Sequence, residues 1–161
     1  MIRRCENSEL HAVLSVINDA AQAYRGVISD DCYAEPYMSA EHLREEMASG
    51  VGFWGFERTK GLVGVMGFQD KAEVSLIRHA YVRTAEQGRG IGSALFSHLR
   101  TFSNGTMLVG TWANAGWAVR FYEKHGFHLE TREESERLLR KYWSIPDRQI
   151  ETSVVLTLPA F

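Results

Sequence analysis

The stretch Gln87-Gly88-Arg89-Gly90-Ile91-Gly92 constrains the fold more than any other part of the chain, because its glycines alternate with other residues. It lies between a strand-like run that ends at Val82 and a helix-like run that begins near Ile91. Glycine adopts positive φ angles at little cost, and the N–H groups in the first turn of a helix are free to bind an anion. The stretch therefore predicts a strand, a loop and a helix that together hold a phosphate group.

Two better-known phosphate loops do not fit this stretch. A dinucleotide fingerprint, G-x-G-x-x-G, would need its last glycine at Ser93 or Leu95, and the Walker pattern G-x-x-x-x-G-K-[ST] does not occur. The pattern that remains is Q-x-x-G-x-G, which resembles the pyrophosphate-binding motif of the GNAT-type N-acetyltransferases. Taken alone, it is also compatible with an ordinary strand-to-helix turn.

Length and composition favour one well-cored domain. The chain has 161 residues, of which 45% are hydrophobic, and this is enough for one core and short for two. The formal net charge of −2 gives no basic field, so we expect neither nucleic acid nor a membrane as a partner. Cys5 and Cys32 have no metal-ligand spacing and the N-terminus has no apolar stretch, so we expect a cytoplasmic protein without a metal.

The hydrophobic periodicity outlines an α/β fold. It predicts a strand at 1–5, a helix capped by Ser8, a short helix at 39–47, strands at 52–57, 61–68 and 73–82, a helix at 91–102, a strand at 107–112, a helix at 115–125 and a last strand at 149–158. The first three long strands indicate an antiparallel meander, and the alternation that follows indicates parallel central strands. The segment 27–39 has no clear period and is predicted to be a loop with a broken helix.

A second motif strengthens the resemblance. Ala118-x-x-Phe121-Tyr122-Glu123-Lys124-x-Gly126-Phe127 resembles the helix after the fifth strand of the GNAT family, at the separation from the glycine loop that the family shows. The resemblance covers nearly the whole chain, and 132–146 looks like an addition between the last two strands. It implies a single N-acetyltransferase domain over 1–161, with a mixed central sheet, an antiparallel N-terminal meander and splayed parallel fourth and fifth strands flanked by helices.

The same resemblance implies acetyl-CoA as the co-substrate and direct attack of an amine on its thioester. The cofactor-binding residues that it implies are Ala80, Tyr81, Val82, Gln87, Gly88, Arg89, Gly90, Ile91, Gly92, Ser93, Asn114, Ala118, Phe121, Tyr122 and Lys124. One of them departs from the family pattern, which often has an asparagine seven residues before the tyrosine, where this chain has Ala115. Either a one-residue shift lets Asn114 take this role, or Trp112 and backbone groups replace it.

The catalytic groups are Tyr122 and His79 in this interpretation. The resemblance makes Tyr122 the proton donor to the leaving thiolate, while a packing role in the sheet interface is the alternative. The family often has a carboxylate nine residues before Gln87, where this chain has Arg78, so no standard base is present. His79 is the candidate base because histidine titrates in a suitable range, and Glu73 or a chain of waters remains open.

Five residues are candidates for acceptor binding: Tyr24, Arg25, Tyr33, Tyr37 and Arg78. The resemblance places the first four over the acceptor site, although they could also be surface residues that pack a loop. Arg78 needs an anionic or carbonyl partner, which could be Glu73, an acid at 30–35 or a substrate carboxylate. The aromatic segment 141–146 could line the acceptor pocket or contact a second subunit, so a homodimer remains open.

The predicted function is acetyl-CoA-dependent acetylation of a small-molecule amine, such as an amino-acid-like compound or an amine-bearing antibiotic. Acetylation of a protein or peptide is the first alternative. A non-catalytic acyl-CoA-binding module is the second, and the missing standard base is its only support in the sequence.

Overall fold

A computed structural model of the chain describes residues 1–160. Seven strands form one sheet in the order β1-β2-β3-β4-β5-β7-β6. The strands are β1 (Ile2–Arg4), β2 (Gly52–Arg58), β3 (Gly61–Asp70), β4 (Val74–Val82), β5 (Thr106–Trp112), β6 (His128–Leu129) and β7 (Ser153–Leu158). All neighbouring strands are antiparallel except β4 and β5, which are parallel. The predicted antiparallel meander with parallel fourth and fifth strands is therefore confirmed.

Helices cover both faces of this sheet. They are α1 (Leu10–Ala21), α2 (Ala40–Ala48), α3 (Ile91–Arg100), α4 (Gly116–Lys124), α5 (Arg132–Tyr142) and α6 (Asp147–Glu151). Successive residues of a strand point to opposite faces, so Leu76 packs with the leucines of α5 while Ile77 packs with α3. The helices α3 and α4 thus cover one face, and α1, α2, α5 and α6 cover the other. None of the helices within residues 1–160 is long and apolar enough to cross a membrane.

The sheet opens where β4 leaves β5. Pairing between them covers only Val74–Ile77 and Thr106–Val109, whereas β5 continues to pair with β7 as far as Trp112. On its other side β4 contains a bulge, since Val65 pairs with Tyr81 and Gly67 with Arg78. Two residues of β4 therefore lie opposite one residue of β3, and one of the two, His79, has a φ of +52°. The strands splay apart from this point, as predicted.

The region after α4 differs from the sequence prediction. The segment 132–146 contains α5, whose buried Leu138 and Leu139 pack on the sheet, so it covers a face of the sheet. The last strand begins at Ser153 rather than at 149, because Pro146 starts the short helix α6 and accepts hydrogen bonds from the next turn. The prediction that Ser8 caps the first helix is also wrong. A 3-10 turn over Asn7–Glu9 precedes α1, and Glu9 is the N-cap.

Candidate active site

A cavity of about 510 Å³, which we call the glycine-loop cleft, lies at the opening between β4 and α4 and extends to the first turn of α3. Every predicted cofactor-binding residue lines this cleft except Arg89 and Asn114. The side chain of Arg89 lies 3.4 Å from Glu86, and Asn114 donates a hydrogen bond to the backbone oxygen of Val27. The cleft is also lined by Tyr24, which was predicted to bind the acceptor, and by residues that the sequence did not indicate, among them Ala20, Ala23, Val65, Met66, Glu86, Leu95 and Trp117.

The glycine loop presents unprotected backbone to this cleft. Gly88 and Gly90 both have a φ of +79°, a conformation that L side chains rarely adopt, and a Cβ atom at either position would meet nothing within 4 Å. Gly90 is the N-cap of α3 and brings no side chain to bind the first N–H groups of the helix. The side-chain amide of Gln87 donates to the backbone oxygen of Val82 and ties the loop to the end of β4. Open space and free N–H donors make the loop suitable for a pyrophosphate.

Tyr122 projects from α4 into the same cleft. The residue is 5% exposed, and burial together with nearby Tyr24 raises the pKa of its phenol. A phenol with a raised pKa remains protonated at neutral pH and is a weaker acid than an exposed tyrosine. The sequence-based alternative, packing in the sheet interface, also describes its surroundings, because the ring contacts Phe121 and Phe127.

A second pocket of about 340 Å³ lies on the other side of the opening in the sheet. It is lined by residues of β4, β5, the loop between α1 and α2, and the segment from α5 to α6. Tyr24 and Tyr81 line both this second pocket and the glycine-loop cleft. The phenol of Tyr24 donates to that of Tyr81 at 3.3 Å, so the two cavities meet at a pair of bonded tyrosines.

A buried carboxylate lies in the wall of the second pocket. Glu46, 8% exposed on α2, lies 2.7 Å from Nε2 of His79 and accepts a hydrogen bond from Arg78 at 3.1 Å. His42 approaches the same carboxylate at 3.0 Å. Burial alone would raise the pKa of Glu46, but the hydrogen bond from His79 and the charge of Arg78 lower this pKa to about 2. Glu46 is therefore a carboxylate at neutral pH.

Sequence reasoning missed Glu46. The one available signal was its position three residues after Leu43, which places it on the buried face of α2. The partner of Arg78 is thus none of the three that the sequence suggested. Glu73 lies at the exposed start of β4, where Tyr142 and Lys141 bind it, and it lines neither cavity.

The predicted acceptor residues divide into two groups. Tyr24, Tyr37 and Arg78 line the second pocket. Tyr33 packs its ring against that of Tyr37, with centroids 6.1 Å apart, and is one layer removed from the pocket. Arg25 is exposed and pairs with Glu35 at 2.8 Å, away from the pocket. The second pocket is also lined by Leu139, Trp143 and Ile145, so the added segment 132–146 contributes to its wall.

Comparison with known proteins decides the family. The model described as an acetyltransferase (GNAT) domain matches residues 14–140, which is most of the chain. The chain belongs to the GNAT acetyltransferase family. This GNAT protein is therefore an acetyltransferase, and acetyl-CoA is its co-substrate, for which the free backbone of the glycine loop is suited. No curated protein matches its sequence.

Solved structures share the fold of this GNAT protein at low sequence identity. A GNAT-family acetyltransferase from Staphylococcus aureus has a TM-score of 0.75 at 15% identity, over 100% of this chain and 99% of the other. The PaiA N-acetyltransferase from Thermoplasma acidophilum, in complex with coenzyme A, has a TM-score of 0.73 at 15% identity, over 99% and 98%. A ribosomal-protein-alanine N-acetyltransferase from Brucella melitensis has a TM-score of 0.67 at 18% identity, over 99% of both chains.

Proposed function

We propose that this protein transfers an acetyl group from acetyl-CoA directly to the primary amine of a small molecule. The observation that carries the proposal is the meeting of two cavities at the opening between β4 and β5. One of them contains the glycine loop, and the other is a separate pocket with its own titratable groups. Such a pair allows a donor and an acceptor to bind from opposite sides and react where the cavities meet.

The glycine-loop cleft would hold acetyl-CoA, which supplies an activated thioester when it is bound. The N–H groups of the first turn of α3 would bind its pyrophosphate, favoured by the positive end of the helix dipole. The residues Ala80, Tyr81 and Val82 lie beyond the last pair between β4 and β5. Their backbone groups on that side have no partner in β5 and are available to the cofactor.

His79 would take the proton of the acceptor amine. A carboxylate only accepts hydrogen bonds, so the 2.7 Å contact with Glu46 fixes the proton of a neutral His79 ring on Nε2 and leaves Nδ1 able to accept one. Glu46 would then stabilise the imidazolium that forms. The positive φ of His79 is a costly conformation for a residue with a side chain, and such strain persists where a function requires it.

Tyr122 would supply the second proton. It holds this proton at its phenol oxygen in the glycine-loop cleft and would donate it to the departing thiolate. In this arrangement the base lines the acceptor side and the acid lines the cofactor side. The two proton transfers would thus occur at opposite sides of the reacting bond.

A contact that bridges two segments beside the second pocket supports a small acceptor. Arg148 of α6 binds Asp31 at 2.8 Å and Ser29 at 3.1 Å, so α6 is joined to the loop between α1 and α2. Trp143 and Ile145 line the pocket on the same side. A peptide would need an open groove along this path. Peptide acetylation remains the second candidate, because a structural neighbour is a ribosomal-protein-alanine N-acetyltransferase.

Release of coenzyme A thiol from acetyl-CoA tests the proposal on a panel of small primary amines and unstructured peptides with free N-termini. We expect turnover with at least one small amine and slower turnover with every peptide at equal concentration. Turnover of peptides alone would overturn the choice of a small acceptor. Binding of acetyl-CoA in calorimetry without any turnover would instead indicate the non-catalytic module.

A further inference from the structure

The body of an acceptor in the second pocket would meet rings and hydrocarbon. Trp143 lies against β5 at Gly110, where a Cβ atom would come within 3.2 Å of its ring. Tyr24 and Tyr37 also line the pocket, and their ring centroids are 5.2 Å apart. Trp112 is a further lining residue, and its indole N–H donates to the Tyr37 oxygen at 2.7 Å. Gly110 thus makes room for an aromatic wall that offers flat apolar surface.

The charged groups of the second pocket already satisfy one another. Among the described residues that line it, the acidic and the strongly basic side chains are Glu46 and Arg78. Nη2 of Arg78 lies 3.1 Å from Glu46, and its Nη1 donates to Gln69 at 3.2 Å. A substrate carboxylate approaching Arg78 would lie beside the negative charge of Glu46, which already offsets the guanidinium charge. The pocket therefore offers no uncompensated guanidinium charge to an anionic group on the acceptor.

The volume sets a further limit. Ligand pockets commonly occupy roughly 300–1,000 Å³. At about 340 Å³ the second pocket lies at the lower end of that range, which suits one ring with a short chain.

Resting on the function proposed above, we infer that the acceptor is an arylalkylamine: a primary amine on a short chain attached to an aromatic ring, without a carboxylate. The ring packs against Trp143 and the tyrosines, and the amine lies toward His79. This inference excludes the amino-acid-like acceptor that Arg78 suggested at the level of sequence.

Three acceptors of the wild-type protein test the inference through coenzyme A release: phenethylamine, phenylalanine and n-butylamine. Phenylalanine differs from phenethylamine only by its carboxylate, and n-butylamine lacks the ring. We expect kcat/KM for phenethylamine to exceed that for phenylalanine by about 100-fold or more, because Glu46 already offsets the charge of Arg78 and repels a second carboxylate. We expect it to exceed that for n-butylamine by about tenfold or more, because the ring loses its contacts.

A variant of the aromatic wall gives an independent measurement. Trp143→Leu should reduce the ratio of kcat/KM for phenethylamine to that for n-butylamine by about tenfold. Because both values come from one protein sample, the ratio does not depend on the fraction that is folded. Trp54→Leu is the matched control, since the Trp54 ring packs beneath Arg4 and beside Phe102, outside both cavities. This control should leave the ratio unchanged.

Each outcome bears on one conclusion. Phenylalanine turned over as well as phenethylamine, or an unchanged ratio in Trp143→Leu, would overturn the arylalkylamine inference and leave the proposed function in place. Acetyl-CoA binding without turnover of any small amine would overturn the proposed function itself. The two kinds of outcome can be told apart, because those that overturn the arylalkylamine inference require measurable turnover, whereas the one that overturns the proposed function is the absence of turnover.

Discussion

At the scale of single residues, the two proposed proton carriers occupy opposite sides of the opening in the sheet. His79 lies in the bulge of β4 and lines the second pocket, whereas Tyr122 lies on α4 and lines the glycine-loop cleft. Each is held by its surroundings, His79 by the carboxylate of Glu46 and Tyr122 by aromatic packing. A change in either side chain should therefore alter turnover more than cofactor binding.

Tyr122→Phe tests the acid directly, since it deletes the phenol oxygen and keeps most of the packing. A general acid is typically worth about 10²–10⁴-fold in rate, so kcat should fall within that range while the Kd for acetyl-CoA changes little. Steady-state kinetics and calorimetry on the same variant measure both quantities. Phe127→Leu, which alters a ring that packs on Tyr122 from outside the cleft, is the control for packing. A loss in kcat below about threefold would leave Tyr122 with a packing role alone.

Glu46→Gln tests the buried network through pH. The pKa of Glu46 is lowered from 4.5 to about 2 in the folded protein. On acidification the unfolded chain takes up this proton first, so the stabilisation is complete above about pH 4.5 and disappears as pH falls toward 2. We expect the variant to be less stable than wild type near pH 7, by about 1–3 kcal/mol, and the difference to shrink on acidification.

Urea unfolding of both proteins at several pH values between 7 and 3 measures this difference. Glu45→Gln is the control, because it removes an exposed carboxylate from the same helix. A stability gap between Glu46→Gln and wild type that stays constant with pH would show that the carboxylate charge does not stabilise the fold.

At the scale of elements, the parts that could be predicted were those whose signal is local. The residue type alone indicates the positive φ of Gly88 and Gly90. The apolar residues of α3 and α4 follow the helical period. The fold family and the glycine-loop cleft therefore followed from the sequence. The bulge that places His79 carries no comparable local signal, because it depends on pairing with β3.

The missed features depend on contacts between distant elements. Helix α5 has its buried residues at helical spacing, but they lie within a strongly charged segment that masks the pattern. The alternation of side-chain types in 149–158 led to a predicted last strand that was too long at its start. Its first residues belong to the helix α6, which begins after Pro146. Glu46 is 33 residues from His79, and no local pattern indicates that the two side chains meet. Pairings of this kind are tertiary and cannot be obtained from periodicity.

The loop before α3 gives a prediction at this scale. Gly90→Asp places a side chain at a φ of +79° and adds a negative charge at the helix N-terminus, where the pyrophosphate would bind. We expect calorimetry to detect no acetyl-CoA binding by a folded variant. Gly61→Asp is the control, because Gly61 also has a positive φ and open space but lies at the start of β3, outside both cavities. Unchanged affinity in Gly90→Asp would remove the loop from the cofactor site.

At the scale of the whole molecule, the second pocket depends on segments that are distant in the chain. The loop between α1 and α2 supplies Tyr37, the central strands supply Arg78 and Trp112, and the end of α5 and the connection to α6 supply Trp143 and Ile145. The ion pair of Arg148 with Asp31 joins the first and last of these segments. This pair is exposed, so it should contribute little to stability, yet it should hold the loop in position for the acceptor.

Arg148→Glu reverses one charge of this pair and should separate α6 from the loop. We expect a several-fold rise in the acceptor KM with little change in the acetyl-CoA KM or in the melting temperature, because the glycine-loop cleft does not include Arg148. The double variant Asp31→Arg, Arg148→Glu should restore the acceptor KM, since it rebuilds the pair in the opposite sense. Arg137→Glu, at an exposed ion pair within α5, is the control and should leave both KM values unchanged. If the double variant binds the acceptor no better than the single one, the ion pair is not what holds the loop over the pocket.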